Sequence, residues 1–171
     1  MELRGRLGRG PGGYPVGSAL LALAFAALLL GACGNTYTKG EFTHQADAIC
    51  ASALRQLRAL APPSFAGTTS HRRRTLSTYS SRALGISEAE RRQLRALPRP
   101  SQSAHEGALL RRYLSALARA VTDLRSLAAA ERAGDAAAAA AATSSLAGNP
   151  VGGLAAAYGL RSCASAGATY R

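Results

Sequence analysis

Between Ser103 and Asp135 the chain carries an apolar stripe with both of its ends marked. Ser103 and Glu106 have the spacing of a capping box, in which the hydroxyl accepts from the N3 amide and the carboxylate from the N-cap amide. Leu110, Tyr113, Leu114, Leu117, Val121, Leu124 and Leu127 then recur at steps of three and four through to about Arg132. That is the period of one helix face. Gly134 stands where a C-terminal cap is wanted, and Asp135 reads as the N-cap of a following helix. So short a link predicts that the two helices are antiparallel neighbours.

The same signals organise the rest of the chain. Thr38 with Glu41 predicts the start of a first helix, along which Phe42, Ala46, Ile49, Ala53, Leu57 and Leu60 form one apolar stripe. Cys50 lies beside that stripe, and Pro62 and Pro63 end the helix. "PPSFAGTTSHRRR" reads as a loop from its Pro, Gly, Ser and Thr content. A second helical region is expected in two pieces, interrupted at Gly85, with Ser87 and Glu90 as a fresh capping box and Pro98 and Pro100 closing it. The fourth helix opens with Ala136 to Ala142, is interrupted by "GNPVGG" (148–153), and finishes in "LAAAYGL" with Gly159 as a cap. No strand-like alternation of useful length competes. The expected fold is all-α: an antiparallel four-helix up-down bundle with a broken second and fourth helix, spanning 41–165, followed by a C-terminal tail, 166–171.

The N-terminal segment is of a different kind. Arg4, Arg6 and Arg9 against Glu2 make a basic region, and "ALLALAFAALLL" (19–30) is an uninterrupted apolar run. It has the length of a signal h-region and falls short of the roughly 20 residues that span a bilayer as a helix. Leu30, Gly31, Ala32 and Cys33 follow it, and this order resembles the lipobox of bacterial lipoproteins. The resemblance implies that residues 1–32 are a removed signal peptide, that Cys33 carries a diacylglyceryl group, and that 33–40 is a lipidated tether. Two acyl chains hold a protein stably at a membrane where one gives only marginal residence. The expected location is the extracytoplasmic face of the cell membrane. The alternative is an ordinary secretory signal with a cysteine near its end, which would release the protein. No adjacent arginine pair marks the basic region, so the general export route is expected.

Three cysteines in an exported chain would leave one thiol unpaired. Assigning Cys33 to lipid leaves Cys50 and Cys163 as an even pair. In an up-down bundle the end of the fourth helix lies near the start of the first, so a disulfide between them is expected to close the bundle. Two buried free thiols are the alternative. His44, His71 and His105 are scattered without ligand spacing. His44 and Asp47, three apart, suit a solvated helix face better than a metal, and neither metal nor cofactor is expected.

The region after Cys33 also resembles a loose group of exported helical proteins of high-GC Gram-positive bacteria. The segments that carry it are "ADAICA" (46–51), "RRYLSALARAV" (111–121), "AAAERAGDAAA" and "YGLRSC" (158–163). This resemblance implies a helical bundle with the two cysteines paired, and no known activity.

Signs of chemistry are sparse. Lys39 is the single lysine and follows Thr38, which excludes a phosphate-cradling loop ending in Gly-Lys. There is no HExxH, and "CASAG" lacks the first glycine of GxSxG. Asp47, Asp123 and Asp135 fall on separate helices. No enzyme activity is expected. Charge is the strongest remaining feature: loss of residues 1–32 removes three of 21 basic and one of nine acidic residues, leaving a net charge of +10. Arg72, Arg73 and Arg74, with Arg91, Arg92, Arg95 and Arg99 downstream, read either as solvated side chains or as a contact to anionic lipids or wall polymers. Nucleic acid is a poor partner outside the cytoplasm for a chain with few aromatics. The sequence names no protein partner. It points to a non-enzymatic interaction or structural module of the cell envelope. A lipid or small-ligand carrier with a cavity between its helices is the alternative, and a hydrolase with an unrecognised site is a third class.

Overall fold

The computed structural model describes residues 36–63 and 66–168. The expected signal segment, with Leu30, Gly31, Ala32 and Cys33, lies outside the described residues. Within them the chain is helical: α1 Lys39–Arg58, α2 Thr69–Ala96, α3 Ala104–Ala133, α4 Ala136–Ala147, α5 Val151–Tyr158 and α6 Arg161–Ala168. The described residues contain no strand, only an isolated bridge between Thr38 and Ser101.

Local signals set most helix ends. Thr38 Oγ1 accepts from the Glu41 amide at 3.2 Å, while Glu41 returns a carboxylate to the Thr38 amide at 2.7 Å. Ser103 and Glu106 repeat the arrangement at α3. Gly134 ends α3 in the left-handed region (φ 74°), where a side chain would be strained, and Asp135 caps α4 through the Ala138 amide at 2.9 Å. At the α4–α5 break, Asn149 accepts from the Val151 amide and donates to Ala116 O on α3, so the interruption is tied to α3. The alanine run of α4 is largely exposed and buries only Ala142.

Three expectations are corrected. First, α2 begins at Thr69, so Arg72, Arg73 and Arg74 are helical and not in a loop. Thr68 is the N-cap, its hydroxyl accepting from the His71 amide at 3.2 Å. Second, α2 is unbroken. Gly85 is exposed and a Cβ there would meet nothing within 4 Å, so it costs about 1 kcal/mol relative to alanine without interrupting a helix that packing supports on both sides. Ser87 and Glu90 therefore do not cap a second piece. They belong to an inward stripe of Ser80, Ala83, Ser87, Glu90 and Leu94, every member buried. Third, the helical part does not finish with "LAAAYGL": Arg161–Ala168 forms α6. Asp47 on α1 supplies its N-terminal cap, accepting from the Arg161 and Ser162 amides at 3.1 and 2.8 Å.

Side-chain pairs give the registers. Ser80 bonds Glu131, and Glu88 meets Arg125 at 2.5 Å, so α2 and α3 run antiparallel. Asp123 accepts from Ser145, and Ala116 O from Asn149, so α3 and α4 do likewise. The starts of α1 and α3 lie side by side, joined by the Thr38–Ser101 bridge and by Lys39 Nζ to Glu106 Oε1 at 2.8 Å. α1 packs on α2 and α6, and α5 on α3 and α6.

The core has two parts. One gathers Phe42, Leu94, Tyr113, Tyr158 and the cysteines; the other gathers Leu57, Ala83, Ala120, Leu124 and Leu146. Phe42 and Tyr158 meet edge to face at 5.9 Å, a favoured aromatic geometry. The sulfurs of Cys50 and Cys163 are 2.06 Å apart, at disulfide distance, and bridge a sequence separation of 113. Ser87 and Glu90 lie on α2 between Ala83 of one part and Leu94 of the other.

Candidate functional site at the arginine-rich end

The second turn of α2 and the last turn of α3 meet at one end of the described residues. Capping by Thr68 makes Arg72, Arg73 and Arg74 consecutive helical residues, so their side chains fan around α2. Where α3 ends, the absent side chain of Gly134 leaves room for Arg73: a Cβ there would stand 2.8 Å from Arg73 Nη1 and 3.3 Å from its Cδ. Arg132 adds a fourth guanidinium from α3, its Nε donating to Ala128 O at 3.2 Å. Ser70, Arg73, Arg74, Ser77 and Arg132 line a cleft of about 250 Å³. A neighbouring groove brings Arg72 and Arg73 toward Glu131 and Asp135.

Those two acids are already engaged. Glu131 accepts from Ser80 and Asp135 caps α4. Among the described residues the ion pairs are Lys39–Glu106, Glu88–Arg92 and Glu88–Arg125, so Arg72, Arg73, Arg74 and Arg132 have no described carboxylate within pairing distance. The local field adds to the imbalance. The N-terminus of α2 carries the positive pole of its helix, and its first turn holds no acid.

The structure separates the arginines that sequence groups together. Arg91, Arg92, Arg95 and Arg99 lie toward or beyond the other end of α2, about 28 Å or more along the helix from Arg72 at 1.5 Å per residue. Arg92 pairs with Glu88 there. Arg132, 58 positions beyond Arg74 in sequence, takes their place. Nothing local in the sequence marks it as a partner; only the antiparallel register of α2 and α3 does.

Two other polar groupings are set by the fold. Lys39 donates to Glu106 and lies 5.0 Å from the Tyr158 ring centroid, and the Tyr158 hydroxyl donates to Gln102 at 2.6 Å. The Lys39 and Ser103 hydrogen bonds hold the Glu106 carboxyl down at about 2, while burial pushes the Tyr158 phenol up to about 12. These contacts pin the chain's entry into α1 against α3 and α5. The second grouping is Glu90, 5% exposed, whose carboxyl burial alone raises to about 7. Its heptad-like spacing with Ser80, Ala83, Ser87 and Leu94 was the available signal. The Ser-x-x-Glu pattern obscured it.

Asp47, three residues from His44, is committed to α6, and no group of three His, Cys, Asp or Glu among the described residues is placed to hold a metal ion. No described helix is long and apolar enough to cross a membrane. Grooves of about 250 to 460 Å³ open between the helices, each with an arginine in its lining. Set against known protein families, curated proteins and solved structures, the chain matches none.

Proposed function

We propose that this chain is a lipid-anchored helical module on the extracytoplasmic face of a bacterial cell membrane, acting as a non-enzymatic interaction or structural component of the envelope. The observation that carries the interaction role is the set of four arginines, Arg72, Arg73, Arg74 and Arg132, none of which forms an ion pair with a described carboxylate. Anchoring is supported by the sequence order of basic region, apolar run and Leu30-Gly31-Ala32-Cys33. A buried cysteine pair at disulfide distance suits an oxidising compartment outside the cytoplasm. We read the fold as an up-down bundle in which α1, α2 and α3 are three columns and α4 with α5 the fourth. The antiparallel pairings of α2 with α3 and α3 with α4 support this reading.

Mass spectrometry of the mature protein tests the anchor. The expected N-terminal residue is Cys33 bearing a diacylglyceryl group. An unmodified N-terminus at any other residue would overturn the anchoring.

A further inference from the structure

We infer that the cleft between the second turn of α2 and the last turn of α3 is a binding site for phosphodiester-linked anionic polymer, held by Arg73, Arg74 and Arg132 with Ser70 and Ser77. This rests on the envelope location proposed above and names the partner that the basic end takes there.

Three observations carry it. The first is convergence. The cleft is lined from two helices that are far apart in sequence, by three arginines and two serines around about 250 Å³. Several donors arriving from different directions match the tetrahedral oxygens of a phosphodiester better than a planar carboxylate, and arginine forks bind phosphate in bidentate fashion. The second is frustration. Three successive arginines stand in the second turn of α2, near the pole where cations are unfavourable, and their nearest acids serve other partners. A bound anion would give these arginines the direct ion pairs that the described carboxylates do not make. The third is position. The start of α1 lies beside the start of α3, and the cleft is at the other end of α3, about 42 Å away at 1.5 Å per residue. A lipid on Cys33 would be tied to Thr38 by five residues of chain, a reach of at most about 18 Å, which is short of the cleft. Screening limits electrostatic attraction to about 8 Å at physiological salt. The cleft therefore gains little from charge at the anchor point itself and is open to polymer around the domain.

The full chain, held in nanodiscs of zwitterionic phosphatidylcholine, is titrated with poly(glycerol phosphate), with polyglutamate of matched length, and with vesicles of phosphatidylglycerol. Because the neutral nanodisc takes up any acyl chain, the result does not depend on whether Cys33 is acylated. The expected result is saturable binding of poly(glycerol phosphate), tighter than polyglutamate or vesicles. The double variant Arg73→Gln with Arg132→Gln should weaken it by at least about tenfold, the scale of losing charged hydrogen bonds. The control Arg111→Gln with Arg112→Gln removes the same charge from exposed positions near the other end of α3 and should change it less than about threefold. Unchanged helical circular dichroism in both variants keeps the comparison about binding. Equal losses in the two double variants would reduce the effect to net charge and overturn the site. Equal affinity for polyglutamate would overturn the phosphodiester assignment. Tighter, Arg73-dependent binding to the vesicles would make a membrane the partner instead.

Discussion

Replacing Glu90 by glutamine should stabilise the protein above neutral pH and leave it nearly unchanged in mild acid. The side chain is 5% exposed, and burial lifts its carboxyl from the ordinary 4.5 to about 7. The buried faces of the flanking α1 and α3 carry alanine, leucine, valine, aromatic and cysteine side chains, and no base to offset an ionised carboxylate. The sign follows from proton counts. Below pH 4.5 both folded and unfolded chains hold the proton, and the group contributes no slope. Between 4.5 and 7 the unfolded chain releases it while the folded chain keeps it, so stability falls by about 1.4 kcal/mol per pH unit. Above 7 the loss levels off at about 3 kcal/mol. Glutamine mimics the protonated acid in shape and does not titrate. Urea unfolding followed by circular dichroism, on both proteins from pH 4.5 to 8.5, gives the difference directly. Glu41, Glu88 and Glu106, whose carboxyls are lowered by their hydrogen bonds, contribute equally to both proteins and cancel. The variant should gain about 3 kcal/mol by pH 8.5, or about 10 °C in Tm for a domain of this size. Parallel stability curves across the whole range, or a variant less stable at pH 8.5, would refute the buried carboxyl.

Two further outcomes probe the fold. Gly85→Ala should raise stability by about 0.5 to 1 kcal/mol, because the site is exposed, helical and open where the methyl would go; a loss in thermal unfolding would show that α2 breaks there. Removing the cross-link with Cys50→Ala and Cys163→Ala opens a sequence separation of 113, worth about 4 to 5 kcal/mol in the chain-entropy model. A Tm unchanged by that double substitution, and by reductant on the unaltered chain, would argue for free thiols.

The helix ends were legible because the groups that make them lie within four residues of one another. Thr38 with Glu41, Ser103 with Glu106, and Gly134 with Asp135 need nothing from elsewhere, and each does what its spacing implies. Local reading failed where the same short patterns had another use. Ser87 and Glu90 have capping-box spacing, but packing of a continuous α2 against α1 and α3 turns both inward. Thr68 is as good a cap as any other threonine, yet it sat within a stretch whose proline and glycine content read as loop.

By itself the sequence determined the helical class, most helix boundaries, and the single even pairing left to Cys50 and Cys163 once Cys33 is set aside. Tertiary structure alone decided that Asp47 caps a helix more than 110 residues away, that Glu90 is shut off from water, and that Arg132 joins Arg73 and Arg74 around one cleft. The reason is one of range. Caps and stripes are written in covalent neighbours, whereas burial, long-range capping and the meeting of like charges depend on which surfaces the helices bring together.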